Sequence, residues 1–271
     1  MSILRIGSTT VVPVLKVPTG LPRDVTNGVW GQPTTAFSFK LPSSATSLEE
    51  GILQNAFKGN QAIFSVDMSS LTEITGTSTM ASFCEGATNL REIDLSNVVT
   101  IDGQNVMTNA FKGTAITEVD LSSLVTVSTT GALQNAFFDC LNITSIDLSS
   151  LTTLGGGVSM TSAFGVSSIP STPLPLTSVE FTSLSSISGT APMRSLFAKR
   201  YGLQSLSFPA FTSNTFSGQL TTYLDNILSD VDGCTVHFPS NMQSVIGSWS
   251  SVQNGFGGTN TVVAFDLPAT E

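Results

Sequence analysis

The residues best placed by type and spacing to do chemistry are acids. Asp67, Asp94, Asp120 and Asp147 follow one another at intervals of 27, 26 and 27 residues, Glu180 continues the series, and Glu92 and Glu118 stand two residues ahead of their aspartates. Stacked on one face, carboxylates a strand apart repel by about 1 kcal/mol per pair in water and several times that at a protein-like dielectric of ~20. Three arrangements answer such a ladder. Water and the flanking hydroxyls of Ser96, Ser122 and Ser149 can solvate it. A calcium ion can sit among Glu92, Asp94, Glu118 and Asp120, because hard cations collect carboxylate oxygens from adjacent positions. A basic or hydroxyl-rich partner can lie along the face, steered by the acids and hydrogen-bonded by the serines.

Other chemistry is poorly supplied. Acyl transfer and hydrolysis need a base, and the single histidine, His237, sits in a strand-like Val236-His237-Phe238-Pro239, where it reads as an outward, solvated side chain. Cys84, Cys140 and Cys234 have neither the spacing of a zinc site nor the density of a disulfide framework, and read as core thiols. Gly155-Gly156-Gly157 is not followed by the Lys-Ser/Thr of a phosphate loop and reads as a turn. No enzyme, cofactor or resident metal is expected.

The elements that position the acids repeat with them. Ile63-Phe64-Ser65-Val66-Asp67-Met68, Leu90-Arg91-Glu92-Ile93-Asp94-Leu95, Ile116-Thr117-Glu118-Val119-Asp120-Leu121 and Ile143-Thr144-Ser145-Ile146-Asp147-Leu148 share the form φxxφDφ, with φ an apolar residue. Leu176–Phe181 and Leu203–Phe208 continue it, Val236–Pro239 closes it, and Phe39-Lys40-Leu41-Pro42 opens it. Its two-residue alternation predicts a strand with the flanking apolar residues inward and the acid outward. A second landmark lies between the strands: Leu53–Phe57, Met107–Phe111, Leu133–Phe137, Met160–Phe164 and Met193–Phe197, with Met80–Phe83 one residue shorter. Its i, i+3, i+4 spacing predicts one helical turn with phenylalanine facing inward. One strand and one turn cannot bury an apolar face alone, so the copies must stack in parallel about 4.8 Å apart. The expected fold is an α/β solenoid of about eight such rungs, a parallel sheet of the order of 35 Å long, with β-rich terminal caps.

Composition agrees. Serine and threonine make up about a quarter of the 271 residues, only 11 % are charged and 23 are glycine, which suits a turn-rich stack with a neutral, hydroxylated surface. A net charge of −9 argues against nucleic acid as a partner. No stretch approaches the ~18 apolar residues of a membrane span, and residues 1–20 lack a signal-peptide h-region because Ser, Thr, Pro and Lys interrupt their apolar residues.

The φxxφDφ copies with an in-phase Ala-Phe turn resemble the leucine-rich repeats of the BspA type over about residues 36–239. That resemblance implies a solenoid used for binding, on bacterial surfaces or in mobile elements. Residues 1–17, with Ile3–Ser8 and Val11–Val17, resemble short β-rich leaders of gut-bacteriophage tail and capsid proteins; a plain N-terminal cap is the other reading. The expected organisation is an attachment or capping segment over 1–35, the leucine-rich-repeat solenoid over 36–239 and a C-terminal β cap over 240–271, with Trp30 and Trp249 in the caps. Together these imply a virion component meeting a host surface protein or glycan, with other virion proteins as partners of the N-terminal segment and self-association possible in a symmetric appendage. A BspA-like adhesin at a bacterial cell surface, or extracellular, and a structural spacer or decoration protein are the alternatives. One irregularity marks a second candidate surface. Phe164 and Phe197 are 33 residues apart, and the excess falls around Pro170, Pro173 and Pro175, close to the basic residues Arg194, Lys199 and Arg200. That segment should loop out, as a binding loop or as a tolerated insertion.

Overall fold

The computed structural model describes residues 35–48, 50–212, 220–246 and 255–270. The leader at 1–17 and both tryptophans lie outside the described residues. The chain forms a parallel β-solenoid of about eight turns with three sides. The first side holds β1 (Phe37–Lys40), β3 (Ile63–Asp67), β5 (Glu92–Asp94), β7 (Glu118–Asp120), β9 (Ser145–Asp147), β11 (Ser178–Glu180), β13 (Ser205–Ser207), β14 (Thr235–Pro239) and β15 (Val262–Leu267). Ladder pairing runs in three groups, β1-β3-β5, β7-β9 and β11-β13-β14-β15, and β5 adjoins β7 as β9 adjoins β11. β15, in the segment expected as a cap, joins as a further parallel strand with Val262 opposite Thr235.

The second side is one continuous parallel sheet. It comprises β2 (Ser47–Leu48), β4 (Glu73–Thr75), β6 (Thr100–Asp102), β8 (Thr126–Val127), β10 (Thr153–Leu154) and β12 (Ser186–Ile187) in sequential order. Its inward residues, Leu48, Ile74, Ile101, Val127, Leu154 and Ile187, are all buried.

The third side corrects the expectation of a helical turn. Helix among the described residues is confined to Leu220–Tyr223, Ser240–Met242, Gln243–Ile246 and the single residue Gly255. The Ala-Phe element is instead a run of overlapping turns whose alternate amides serve different acceptors. The amides of Leu53, Asn55 and Phe57 donate to the carbonyls of Thr79, Ala81 and Phe83 on the next rung at 2.9, 3.0 and 2.8 Å. Those of Gln54, Ala56 and Lys58 donate three residues back, to Gly51, Leu53 and Asn55, at 3.2, 3.1 and 3.3 Å. A helix would keep every amide within the segment. The physical reason is a left-handed residue every fourth position: Gly51, Asn55 and Gly59 have φ of 64°, 56° and 71°, and Asn105, Asn109 and Gly113 repeat this at 56°, 57° and 71°. Glycine and asparagine enter that region at least cost, and each entry interrupts the helical path.

Inside, the phenylalanines form a column. Phe111, Phe137, Phe164 and Phe197 stack at centroid separations of 5.4, 5.4 and 5.8 Å, their planes nearly parallel. The second rung has the same length as its neighbours, because the Cys84 amide bonds Ala110 as the Phe111 amide bonds Ala136. Cys84 thus takes the phenylalanine place, and Phe83 the alanine place. The 33-residue interval leaves the stack undisturbed: the Phe164 amide reaches the Leu196 carbonyl at 3.0 Å, and the surplus residues leave after Val166 and return at Leu174.

Candidate functional site

Strand register brings the acids together as their spacing demands. Asp67 lies opposite Asp94 on β3 and β5, and Asp120 opposite Asp147 on β7 and β9. Glu180 occupies the same position on β11, opposite Ser207. Glu92 pairs with Ser65 and Glu118 with Ser145 in the outward row two residues earlier. Glu92, Glu118, Asp120, Asp147 and Glu180 are exposed, while Asp67 and Asp94 are half-buried.

Asp67, Asp94, Asp120, Asp147 and Glu180 are each held by the residue two positions on. Asp67 Oδ1 accepts from the Ser69 amide at 3.1 Å and its Oγ at 2.6 Å, and Asp94 Oδ1 accepts from Ser96 in the same way at 3.1 and 2.7 Å. Asp120 accepts from the Ser122 amide at 3.0 Å, Asp147 from the Ser149 amide at 2.9 Å, and Glu180 from the Thr182 hydroxyl at 3.3 Å. These bonds turn the chain out of each strand and orient these five carboxylates. The serines expected to solvate the ladder therefore also shape the turns beneath it. Between β7, β9 and β11 the face is dished into an open depression of about 590 Å³, edged by Glu118, Asp120, Asp147 and Glu180 with Ser145 and Ser178. Among the described residues no three His, Cys, Asp or Glu side chains gather as a metal ion requires, Glu92, Asp94, Glu118 and Asp120 included.

The ladder is compensated at its first rung. Lys40, in the acid position of the opening repeat, pairs with Asp67. That bond, followed by the one from Ser69, holds the Asp67 carboxyl down to about 2 from an ordinary 3.8. A depressed carboxyl stabilises the fold fully above its unfolded pKa and loses that contribution as pH falls from 3.8 through about 2. The Asp67 side chain is 37 % exposed, so water screens the pair and its worth is about 1 kcal/mol or less. Carboxyl-carbon NMR should find Asp67 titrating near 2, and Lys40→Met should move that midpoint upward; an unmoved midpoint would refute the pairing in solution.

The second candidate surface resolves differently. Pro173 and Pro175 are exposed and Pro170 half-buried on the projecting loop, but the basic residues behind it are engaged within the chain. Arg194 Nε donates to Asp225 at 2.7 Å, and Lys199 Nζ to the Ser167 carbonyl at 3.2 Å. Arg200, grouped with the loop on sequence grounds, is fully buried and so belongs to the core. Its guanidinium donates to the carbonyls of Phe164 at 2.8 Å and Cys140 at 3.1 Å, spanning the place from which the loop departs. Burial brings its pKa down to about 10, which leaves it charged at neutral pH. Sequence spacing carried no sign of this, since an arginine beside a loop is ordinarily solvated. His237 faces outward from β14, with Nδ1 2.9 Å from Asp266 on β15.

No protein-family model matches the chain, and no curated protein matches it. Among solved structures, a leucine-rich repeat protein from Bacteroides ovatus is similar over 87 % of this chain and 73 % of its own, at 13 % identity and a TM-score of 0.32. No helix among the described residues is long and apolar enough to cross a membrane.

Proposed function

We propose that the chain is a non-enzymatic recognition protein, an appendage of a phage virion that meets a host surface protein or glycan through its acidic sheet face. The observation that carries the binding face is the row of outward carboxylates on β5 to β11, oriented by their own turns on a rigid parallel stack. Such a face steers a complementary partner and fixes its register more than it adds raw affinity. The virion assignment is supported by the resemblance of residues 1–17 to phage leaders.

The experiment compares the intact chain with an Asp120→Asn/Asp147→Asn variant for association with whole bacterial cells and with immobilised envelope proteins and glycans. The variant should associate roughly tenfold more slowly, and the difference should shrink as salt rises from about 50 to about 300 mM. Equal rates for the two proteins at both salt concentrations would refute the face. Immunogold label on particles would support the virion assignment, whereas label confined to bacterial envelopes would replace it with an adhesin.

A further inference from the structure

The projecting loop does more than leave the stack. Its amide at Ser167 donates to Asp139 Oδ1 at 2.7 Å, Lys199 Nζ holds the Ser167 carbonyl, and the Leu174 amide bonds the Tyr201 carbonyl at 2.6 Å on return. Thus anchored, it carries Ile169, 58 % exposed, and Tyr201, 37 % exposed, stands where the loop rejoins the stack. Ile169, Tyr201, Asp230, Asp232, Thr259 and Asn260 line an open depression of about 420 Å³ there. Asp232 Oδ1 accepts from Thr259 Oγ1 at 3.0 Å and from Asn260 Nδ2 at 2.8 Å, which sets its carboxylate in place.

The lining has the profile of one kind of occupant. An isoleucine and a tyrosine ring offer an apolar track, and two carboxylates offer charge. Among the described residues no lysine or arginine forms an ion pair with Asp230 or Asp232. The basic groups closest in sequence are committed elsewhere, Lys199 to Ser167, Arg194 to Asp225 and Arg200 to buried carbonyls. A neutral polyol would hydrogen-bond these carboxylates but bring no opposite charge to them. A long basic side chain lays its methylenes on the apolar track and brings its charge to the acids, and a planar guanidinium also stacks on tyrosine. We propose that this depression is a socket for a basic side chain, arginine foremost, presented by a partner protein. The proposal rests on the reading of the chain as a recognition protein, but it uses residues apart from the acidic ladder.

Backbone-amide NMR with Nα-acetyl-arginine amide as probe tests it, with Nα-acetyl-citrulline amide as the uncharged near-isostere. The arginine probe should shift the signals of Tyr201, Asp232 and Asn260 saturably, and the citrulline probe should not. Asp232→Asn should weaken binding about tenfold, as loss of a charge-assisted hydrogen bond requires. Tyr201→Leu, which keeps bulk at an exposed position, should weaken it several-fold and serves if Asp232→Asn disturbs the fold. Asp120→Asn/Asp147→Asn should leave it unchanged, so failure of the socket and failure of the sheet face are told apart. Equal response to citrulline, preferential binding of methyl glycosides, or shifts confined to β7 and β9 would each overturn the proposal.

Discussion

Phe137→Ala is expected to destabilise the solenoid by about 4 kcal/mol, the middle of the range for deleting a buried aromatic ring. Phe137 is fully buried between Phe111 and Phe164, 5.4 Å from each and within 10° of parallel to both. The cost of such a deletion depends on how far the surroundings collapse. Here they are held apart, because the Phe111 amide bonds the Ala136 carbonyl at 2.8 Å and the Phe137 amide bonds the Ala163 carbonyl at 2.9 Å. Rung spacing is set by backbone hydrogen bonds, so the vacated space persists. Phe64→Ala is the control: that ring is 41 % exposed on β3 and its loss should stay within about 0.5 kcal/mol. Urea unfolding of the two variants provides the measurement. A loss below about 1 kcal/mol for Phe137→Ala would mean that the phenylalanine column is not what supports the stack.

Gly103→Ala should be comparably damaging for a different reason, at about 3 kcal/mol or more when left-handed strain and steric clash are combined. Gly103 has φ of +135°, and a Cβ there would lie 2.2 Å from the carbonyl oxygen of Gly76 and 2.7 Å from its nitrogen. Both obstacles are backbone of the adjacent rung, which cannot rotate aside as a side chain can. The contact lies where β6 leaves the second sheet, so relieving it means separating rungs. Gly59→Ala separates the two contributions. Its φ is +71° but nothing lies within 4 Å of its Cβ position, so only the left-handed penalty of about 1 kcal/mol remains. Melting temperatures should fall much further for Gly103→Ala than for Gly59→Ala, and equal shifts would refute the close approach.

Much of the candidate site was legible in one dimension. The 26- to 27-residue recurrence of φxxφDφ placed Asp67 beside Asp94 and Asp120 beside Asp147, because in a parallel stack equal phase becomes spatial adjacency. The Ala-Phe turn lies where its spacing places it and faces inward, except that the second copy runs on to Cys84, and its conformation is a ribbon of turns rather than a helical turn. An i, i+3, i+4 apolar pattern suits a helix and a ribbon of turns alike; the distinguishing mark was the four-residue recurrence Gly51-Asn55-Gly59 and Asn105-Asn109-Gly113, residues that tolerate positive φ. Ser96, Ser122 and Ser149 stand out in the sequence as hydroxyls near the acids, but the bond common to all three is the one from the backbone amide.

Periodicity alone determined the solenoid, the side of each strand that is buried, the acidic row and the departure point of the loop, since all four depend only on repeat phase and on the preference of apolar residues for the interior. The tertiary structure decided what depends on neighbours distant in the chain. It buried Arg200 across the rungs of Cys140 and Phe164, divided the first side into three ladder groups, and joined Ile169 and Tyr201 to Asp230 and Asp232. No repeat phase encodes these arrangements, because each arises where the regular stacking is interrupted and the local packing has to find its own solution.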